Sequence, residues 1–324
     1  MKAKREKITQ KKKKRRLFAG KLFLIAGGLI LLVLGLVLFR FFHHSILPKE
    51  GRITIGLGPK PLVLVSYSKE EETLVFLLIP EKILLPAAYG YGQYRIEAFK
   101  RLAELTNRPS LLQESLSSSL ALPLHGWIEQ PHSLPEETTG RTLKKWFLEQ
   151  IKEKLLGKGQ TALFPLDLLR SWWLILRSPA AKIRVLTLAE DRGLRESVLP
   201  DGSFFWEFAE EETDQLVKEF FSEGQIKKEK IAIGIANATG KTGLAKKAAR
   251  LVTNLGGSVV EVTDWPSSLT NSVLRIDPDR EITFSIEKVA RAFNCEIKRI
   301  SPEPFAVDAL MIVGEDFSQK IGFD

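Results

Sequence analysis

The chain has 324 residues and a formal net charge of +9. Residues 1–21 hold eleven lysines and arginines and one acid, so they contribute +10 and leave −1 (9 − 10) for the rest. A near-neutral body gives no electrostatic footprint for nucleic acid, so we expect no nucleic-acid partner. A single cysteine, Cys295, excludes an internal disulfide, and four histidines give no metal-ligand spacing, so we expect no metal and no cofactor.

Residues 22–42 are almost wholly apolar. From Leu22 to Phe39 there is neither charge nor proline, and about 20 apolar residues suffice to cross a bilayer as a helix. A buried core helix would be shorter or carry polar positions, and a cleaved signal peptide would end in small residues. The basic tail, residues 1–21, predicts a cytoplasmic N-terminus. We therefore expect a single-pass signal anchor in the cell membrane, with the rest of the chain extracytoplasmic.

The chain from residue 53 to residue 222 mixes strand and helix patterns. Short β-branched and apolar runs at 53–57, 62–67 and 73–79 predict an antiparallel meander. Serines and prolines predict an irregular segment over 110–140. The remaining patterns predict helices over 94–105, 141–156, 166–176 and 211–221, and strands over 182–188 and 204–208. Trp172 and Trp173 are typical of core residues, although a sugar-stacking platform is the alternative.

Residues 222–230 are polar and charged, and we interpret them as a linker. After the linker the pattern predicts a small α/β domain with two helices, which starts with a βαβ unit. Its predicted strands are 231–236, 258–263, 272–276, 296–300 and 309–313, and its helices are 242–255 and 281–293.

The segment Gly240-Lys241-Thr242 lies between a predicted strand and a predicted helix. A phosphate-binding P-loop has four residues between its first glycine and its Gly-Lys-Thr, whereas here five residues separate Gly234 from Gly240. One interpretation is a plain strand-to-helix turn, with Thr242 as the N-cap. The other is an anion site, because exposed amides at a helix N-terminus beside a lysine can hold a carboxylate or phosphate. The candidate binding residues on this turn are Asn237, Thr239, Gly240, Lys241 and Gly243.

Residues 230–318 resemble the LytR C-terminal domain. The resemblance rests on Asn237-Ala238-Thr239-Gly240-Lys241-Thr242-Gly243-Leu244-Ala245 and on the final Ile312-Val313-Gly314-Glu315-Asp316-Phe317. In that family an Asn-Gly-Thr-Gly-x-x-Gly-Leu-Ala segment opens the first helix, and the last strand ends in a similar run. Ala238 replaces the usual second-position glycine, while the spacing and the order of the two motifs agree.

Residues 53–222 resemble the LytR-CpsA-Psr domain more distantly, through the runs at 62–67, 74–80 and 91–99. Members attach glycopolymers, carried on polyprenyl phosphate, to peptidoglycan outside the membrane. They use arginines on the pyrophosphate and carboxylates with a divalent metal. The resemblance implies the same cellular setting for this chain.

This sequence differs from the catalytic motifs of that family at two positions. Ile79-Pro80-Glu81-Lys82 stands where the family has Ile-Pro-Arg-Asp, and Gly58-Pro59-Lys60-Pro61 stands where Arg-x-Asp-Thr is expected. Phosphoryl transfer needs cations for the diphosphate and acids for the metal. Only Arg95 resembles a retained basic position, and we take it as a further candidate binding residue. The departures predict a non-catalytic domain.

The sequence thus predicts an α/β protein with four parts: a basic cytoplasmic tail (1–21), a transmembrane anchor (22–42), a divergent mixed-sheet LytR-CpsA-Psr-like domain (53–222) and a LytR C-terminal domain (230–318). We expect a cell-envelope protein that binds or organises cell-wall polymer or wall-associated partners. The alternative is an active phosphotransferase that attaches glycopolymer from polyprenyl diphosphate to peptidoglycan. A transcriptional regulator is disfavoured, because only residues 1–21 would face the cytoplasm.

Overall fold

The computed structural model describes residues 27, 28, 35, 47–48, 50–60, 62–129, 133–189, 193–198 and 202–323. The predicted anchor therefore lies outside the described residues, apart from three glycines in helical conformation. None of the described helices is long and apolar enough to cross a membrane. Residues 46–324 form one compact unit, with a mixed α/β architecture.

The N-terminal half of this unit holds nine strands and five α-helices among its described residues. The strands are β1 (Arg52–Gly58), β2 (Leu62–Ser68), β3 (Leu74–Ile79), β4 (Leu84–Ala87), β5 (Gly92–Arg95), β6 (Gly126–Glu129), β7 (Ile183–Thr187), β8 (Leu194–Val198) and β9 (Phe204–Phe208). The helices are α1 (Phe99–Thr106), α2 (Leu111–Ser119), α3 (Gly140–Leu155), α4 (Pro165–Arg177) and α5 (Glu210–Phe220).

The main sheet of this half has the order β6-β1-β2-β3-β7. The meander β1-β2-β3 is antiparallel, as predicted, and β6 and β7 join its edges in parallel. Side chains of β2 alternate between two separate cores: Leu62 and Leu64 pack with α1 and α2, whereas Val63 and Val65 pack with α3 and α4. Both faces of the sheet are covered, which explains why the central strands are almost continuously apolar.

The C-terminal half follows a short helix, α6 (Gly224–Glu229). Its strands are β10 (Ala232–Asn237), β11 (Ser258–Asp264), β12 (Val273–Ile276), β13 (Glu296–Arg299) and β14 (Ala309–Val313), and its helices are α7 (Leu244–Asn254), α8 (Phe284–Phe293) and α9 (Glu315–Ile321). The strand order is β11-β10-β14-β12-β13. β10, α7 and β11 form the predicted parallel βαβ unit. The third helix, α9, was not predicted.

Two sequence interpretations in the N-terminal half were wrong, and a third was wrong for one of its two residues. The helix predicted over 94–105 begins only at Phe99, because Tyr94 and Arg95 pair with Leu85 and Leu84 in a hairpin. The segment predicted as irregular, 110–140, contains α2 and β6. Its serines are compatible with a helix because they find backbone partners: the Ser115 hydroxyl donates to the Leu111 carbonyl at 2.7 Å and accepts from the Ala88 amide at 2.8 Å.

The third concerns the two tryptophans of α4. Trp172 packs against the core, but Trp173 is 48% exposed. Successive residues of a helix point about 100° apart, so two adjacent large rings cannot both face one core.

Residues 222–230, which we interpreted as a linker, include α6 and three buried residues, Ser222, Glu223 and Ile226. The Glu223 amide donates to the Leu255 carbonyl at 2.9 Å, and its carboxylate accepts from the Arg52 amide at 2.9 and 3.0 Å. Glu223 is therefore buried and paired inside the protein, whereas Lys227, Lys228 and Lys230 of the same segment are exposed.

The C-terminal end of α9 packs tightly on the N-terminal half, and we predict that Gly322 is required there. Gly322 has φ of +65°, and a Cβ atom would lie 2.3 Å from the Gly90 amide nitrogen and 2.9 Å from the Gly90 Cα. Backbone atoms cannot rotate away from the added methyl group. Gly322→Ala should therefore lower the free energy of unfolding by about 1–3 kcal/mol more than the same substitution does at a glycine of positive φ in open space.

Gly157→Ala is the matched control, because Gly157 also has a positive φ (+79°) and nothing lies within 4 Å of its added Cβ. Urea unfolding of both variants, followed by circular dichroism, measures the difference. Equal losses would show that the contact between Gly322 and Gly90 is not tight in solution.

Candidate functional site

The turn between β10 and α7 is organised by the side chain of Asn237. Its Oδ1 accepts from the Thr239 amide at 3.1 Å and from the Thr239 hydroxyl at 2.8 Å. Its Nδ2 donates to the Lys241 carbonyl at 3.0 Å and to Asp264 Oδ1 at 3.2 Å. The Lys241 amide donates to Thr239 Oγ1 at 3.2 Å. Two of the amides that could bind an anion are therefore already engaged inside the turn.

The helix after this turn begins at Leu244, with Gly243 at the N-cap position and a φ of +93°. The prediction that Thr242 caps the helix was wrong. A residue in the left-handed conformation is needed at position 243, and glycine adopts it without steric cost. Gly240 likewise has φ of +72°.

Lys241 reaches across to the C-terminal segment. Its ammonium donates to Ser318 Oγ at 2.9 Å and to the Phe323 carbonyl at 3.1 Å, and it lies 3.4 Å from Glu315 Oε2. The side chain thus braces α9 against the turn. Binding of an outside anion would compete with these three contacts, and the anion site on this turn stays a prediction.

Arg95, the remaining candidate, lies at the end of β5. Its guanidinium carbon is 4.3 Å from the centre of the Phe205 ring, a cation–π contact. The other candidates lie together on the turn after β10, whereas Arg95 belongs to a hairpin of the N-terminal half.

A cavity of about 370 Å³ lies where the two halves of the compact unit meet. Basic side chains from both halves line it: Arg52 comes from β1, Lys288 and Arg291 from α8, and Lys320 from α9. Glu223 is the one acid that lines the cavity among the described residues, so the lining carries a net charge of +3 (4 − 1). A concave site with converging cations can bind an anionic group.

Glu223 holds the ammonium of Lys288 and the backbone of Arg52. Its Oε1 accepts from Lys288 Nζ at 3.0 Å, and both of its oxygens accept from the Arg52 amide. The Arg52 guanidinium in turn contacts Ser66 Oγ at 3.4 Å, the Ser222 carbonyl at 3.3 Å and Glu71 at 3.1 Å. These contacts fix Arg52 and Lys288, which are both buried.

Lys320 and Arg291 are held less firmly. Arg291 pairs with Glu287 one turn earlier on the exposed side of α8. Among the described residues, Lys320 has no hydrogen-bond or ion-pair partner. These two cations can therefore turn to an anion in the cavity without breaking a buried contact.

His125 also lines this cavity. Its Nδ1 accepts from the Thr54 amide at 3.1 Å, which puts the proton of the neutral ring on Nε2. Burial, and then the nearby charge of Lys288, lower the pKa of His125 from 6.5 to about 3. The ring is therefore neutral at physiological pH and can act as a hydrogen-bond donor.

We predict that His125 makes the protein sensitive to acid. Its pKa is lower in the folded chain than in the unfolded chain, so the unfolded chain takes up the proton first and the free energy of unfolding falls as the pH drops from about 6.5 toward 3. The loss should approach about 1.4 kcal/mol per pH unit for one such group.

Asparagine in place of His125 can still accept from the Thr54 amide but does not titrate. Urea unfolding of the parent chain and of His125→Asn at several pH values isolates the effect, because other titrating groups cancel in the difference. A difference that stays constant between pH 6.5 and 4 would contradict the assignment of this slope to His125.

No sequence pattern pointed to this cavity. Its charged residues are far apart in the chain: Arg52 and Glu223 are separated by 171 residues, and Glu223 and Lys288 by 65. The only available signal was the density of charge in residues 222–230, and the same composition is typical of a linker.

Comparison with known families clarifies the C-terminal half. Residues 230–317 match the family model described as LytR cell envelope-related transcriptional attenuator. The chain carries a LytR C-terminal domain. The match agrees with the resemblance seen in the sequence at 230–318, and the domain supplies Lys288, Arg291 and the β10–α7 turn. No curated protein matches the chain.

Solved structures similar to this chain include three proteins at low identity. The transcriptional regulator yvhJ from Bacillus subtilis is 12% identical, with a TM-score of 0.38, over 52% of this chain and 95% of its own. The LytR-CPS2A-psr family protein YwtF (TagT), with bound octaprenyl pyrophosphate lipid, is 14% identical, with a TM-score of 0.37, over 53% and 90%. B. subtilis TagV is 11% identical, with a TM-score of 0.37, over 52% and 95%. These values are too low to carry a functional argument.

Proposed function

We propose that this protein is a membrane-anchored, extracytoplasmic component of the cell envelope that binds anionic cell-wall polymer without transforming it. The LytR C-terminal domain, whose family is described as cell envelope-related, supports the setting. The apolar run at 22–42 and the basic tail before it support the anchor and its orientation.

The main support for a binding role is the cavity lined by Arg52, Lys288, Arg291 and Lys320. Its net positive lining favours a phosphate or carboxylate group, and its volume is that of an ordinary small-ligand site. Wall polymers present such groups at regular intervals along a chain. Lys288 is held by Glu223 and the Arg52 guanidinium by Glu71, while Arg291 and Lys320 can turn to the anion without breaking a buried contact.

Co-sedimentation with purified cell-wall sacculi tests this role. The fragment from Ile46 to Asp324 is suited to it, because it is one compact unit and lacks the basic tail, which would bind an anionic wall unspecifically. A fragment that starts later would lose Leu47, which is buried in the core at 3% exposure. We expect saturable binding that depends on the anionic polymer and weakens as salt is added.

Replacing both Lys320 and Arg291 with methionine should weaken this binding by roughly tenfold or more, since two charge-assisted contacts are lost. Lys145→Met, which removes an exposed cation of α3 outside the cavity, is the control and should change little. Unchanged binding in the double variant would rule out the cavity as the site.

Two further experiments test the alternative binding site on the β10–α7 turn and the alternative of a catalytic role. Lys241→Met tests the β10–α7 turn, and a loss of binding in this variant alone would place the site at Asn237, Thr239, Gly240, Lys241 and Gly243 instead. Incubation with a polyprenyl diphosphate-linked glycopolymer and a divalent metal tests catalysis. Transfer or release of the polymer would make the protein an enzyme and overturn the non-catalytic proposal.

A further inference from the structure

The outward face of α4 is apolar. Its exposed residues are Pro165, Leu169, Trp173, Leu176 and Arg177, and the three large apolar side chains among them are 52%, 48% and 46% exposed. Residues 169, 173 and 176 follow the i, i+4, i+7 spacing that puts side chains on one stripe of a helix. A helix that faces water normally carries polar residues there.

The neighbouring helix α3 shows the ordinary pattern. Its exposed positions include Arg141, Lys145, Glu149 and Lys152. The outward face of α4 instead carries no acid and one base, Arg177, whose guanidinium carbon lies 3.7 Å from the centre of the Trp173 ring. Exposed apolar faces of this kind mark contact with a partner or a membrane.

The chain enters the compact unit directly beside this helix. The Arg170 guanidinium of α4 donates to the Leu47 carbonyl at 3.3 Å and to the Pro48 carbonyl at 2.7 Å. Lys69 Nζ also donates to the Pro48 carbonyl, at 3.3 Å, and the Leu47 side chain packs in the same core as α4. The point of entry is thus fixed to α4 itself.

The remaining distance to the predicted anchor is short. Phe42 ends the apolar run, and five residue steps lead from it to Leu47, which can span at most about 17 Å when extended. A helix attached to Leu47 therefore stays near the bilayer surface if the anchor spans the membrane. Among candidate occupants of the apolar face, the lipid surface is the one that the chain itself brings near.

We propose that the outward face of α4 docks on the bilayer that holds the anchor. Leu169 and Leu176 enter the boundary between headgroups and acyl chains, Trp173 takes the interfacial position that its ring favours, and Arg177 binds a lipid phosphate. The inference rests on the anchor in the proposed function. Docking would hold the extracytoplasmic unit at two points and limit its rotation about the anchor.

The test uses the full chain reconstituted in vesicles of phosphatidylglycerol and phosphatidylethanolamine, with and without a lipid that carries a doxyl spin label near its headgroup. Cys295 is replaced by alanine, and an environment-sensitive fluorophore is attached at Leu176→Cys. Lys246→Cys, on an exposed position of α7 in the C-terminal half, is the matched control. We expect blue-shifted emission and at least twofold stronger quenching by the spin label at position 176 than at position 246.

Adding Trp173→Glu to the Leu176→Cys chain should remove this quenching. Equal quenching at the two positions would overturn docking and leave the anchor intact. A blue shift at position 176 without lipid quenching would mean that a protein or a second copy covers the face, which also overturns the proposal. Failure of the full chain to float with the vesicles would overturn the anchor and docking together, whereas polymer binding is judged separately by sedimentation.

Discussion

Replacing Glu223 with alanine is expected to lower the free energy of unfolding by about 3–5 kcal/mol, because it leaves a buried cation without its partner. Lys288 and Glu223 are both buried, and their ammonium and carboxylate are 3.0 Å apart. The same carboxylate accepts from the Arg52 amide. The substitution therefore removes the contact that connects β1, the segment before α6, and α8.

Urea unfolding of the Ile46–Asp324 fragment, followed by circular dichroism, measures this loss. Glu287→Ala is the matched control, since Glu287 pairs with Arg291 on the exposed side of the same helix, and it should change stability by no more than about 0.5 kcal/mol. The loss of stability in Glu223→Gln should lie between those of Glu223→Ala and Glu287→Ala, because glutamine can still accept from the Arg52 amide. A loss of less than about 1 kcal/mol in Glu223→Ala would show that Lys288 finds another partner or water.

Asp214→Ala is expected to cost about 3 kcal/mol, the lower end of the range for breaking a buried ion pair, because its pair with Arg250 is only partly buried. Asp214, on α5, accepts from Arg250 Nε at 2.8 and 2.7 Å and from Asn254 Nδ2 at 2.8 Å. Both partners lie on α7 and also reach the C-terminal end of α2: Arg250 donates to the Ser119 carbonyl at 2.9 Å, and Asn254 donates at 3.2 Å to the carbonyl of Leu120, the residue after α2.

The cost is limited because Arg250 keeps a second acid, Glu210, at 3.4 Å. Glu210 is 55% exposed, so Glu210→Ala is the control and should cost at most about 1 kcal/mol. The same unfolding measurement applies. If Asp214→Ala and Glu210→Ala lose equal stability, the partly buried pair of Asp214 and Arg250 contributes no more than a surface pair, and α5 is held to α7 by packing alone.

The contacts of Glu223 and those of Asp214 both join the N-terminal half to the C-terminal half. Glu223 and Asp214 each link elements before residue 230 with elements of the LytR C-terminal domain. We therefore expect the two halves to unfold in one transition in the parent fragment. Tryptophan fluorescence and circular dichroism should then report the same transition, although Trp265 is in the C-terminal half and the other five tryptophans precede it after residue 126.

Elements with a local residue pattern could be predicted from the sequence. The meander β1-β2-β3 follows from β-branched and apolar runs broken by turn residues, and α3 and α4 follow from apolar residues at helical spacing. The βαβ unit and the match to the LytR C-terminal domain follow from motifs of fixed spacing, such as the run that opens α7. In these segments, each residue's preference agrees with its neighbours'.

The other features depend on contacts between residues that are distant in the chain, so they were visible only in the folded protein. The serines of α2 are helical because Ser115 meets Leu111 and Ala88, and residues 222–230 are ordered because Glu223 meets Arg52 and Lys288. The cavity exists only where the two halves meet, so neither half encodes it alone. The exposed face of α4 has the composition of a core helix. Only the packing of α4 against α3 and the sheet shows that the stripe formed by Leu169, Trp173 and Leu176 is left uncovered.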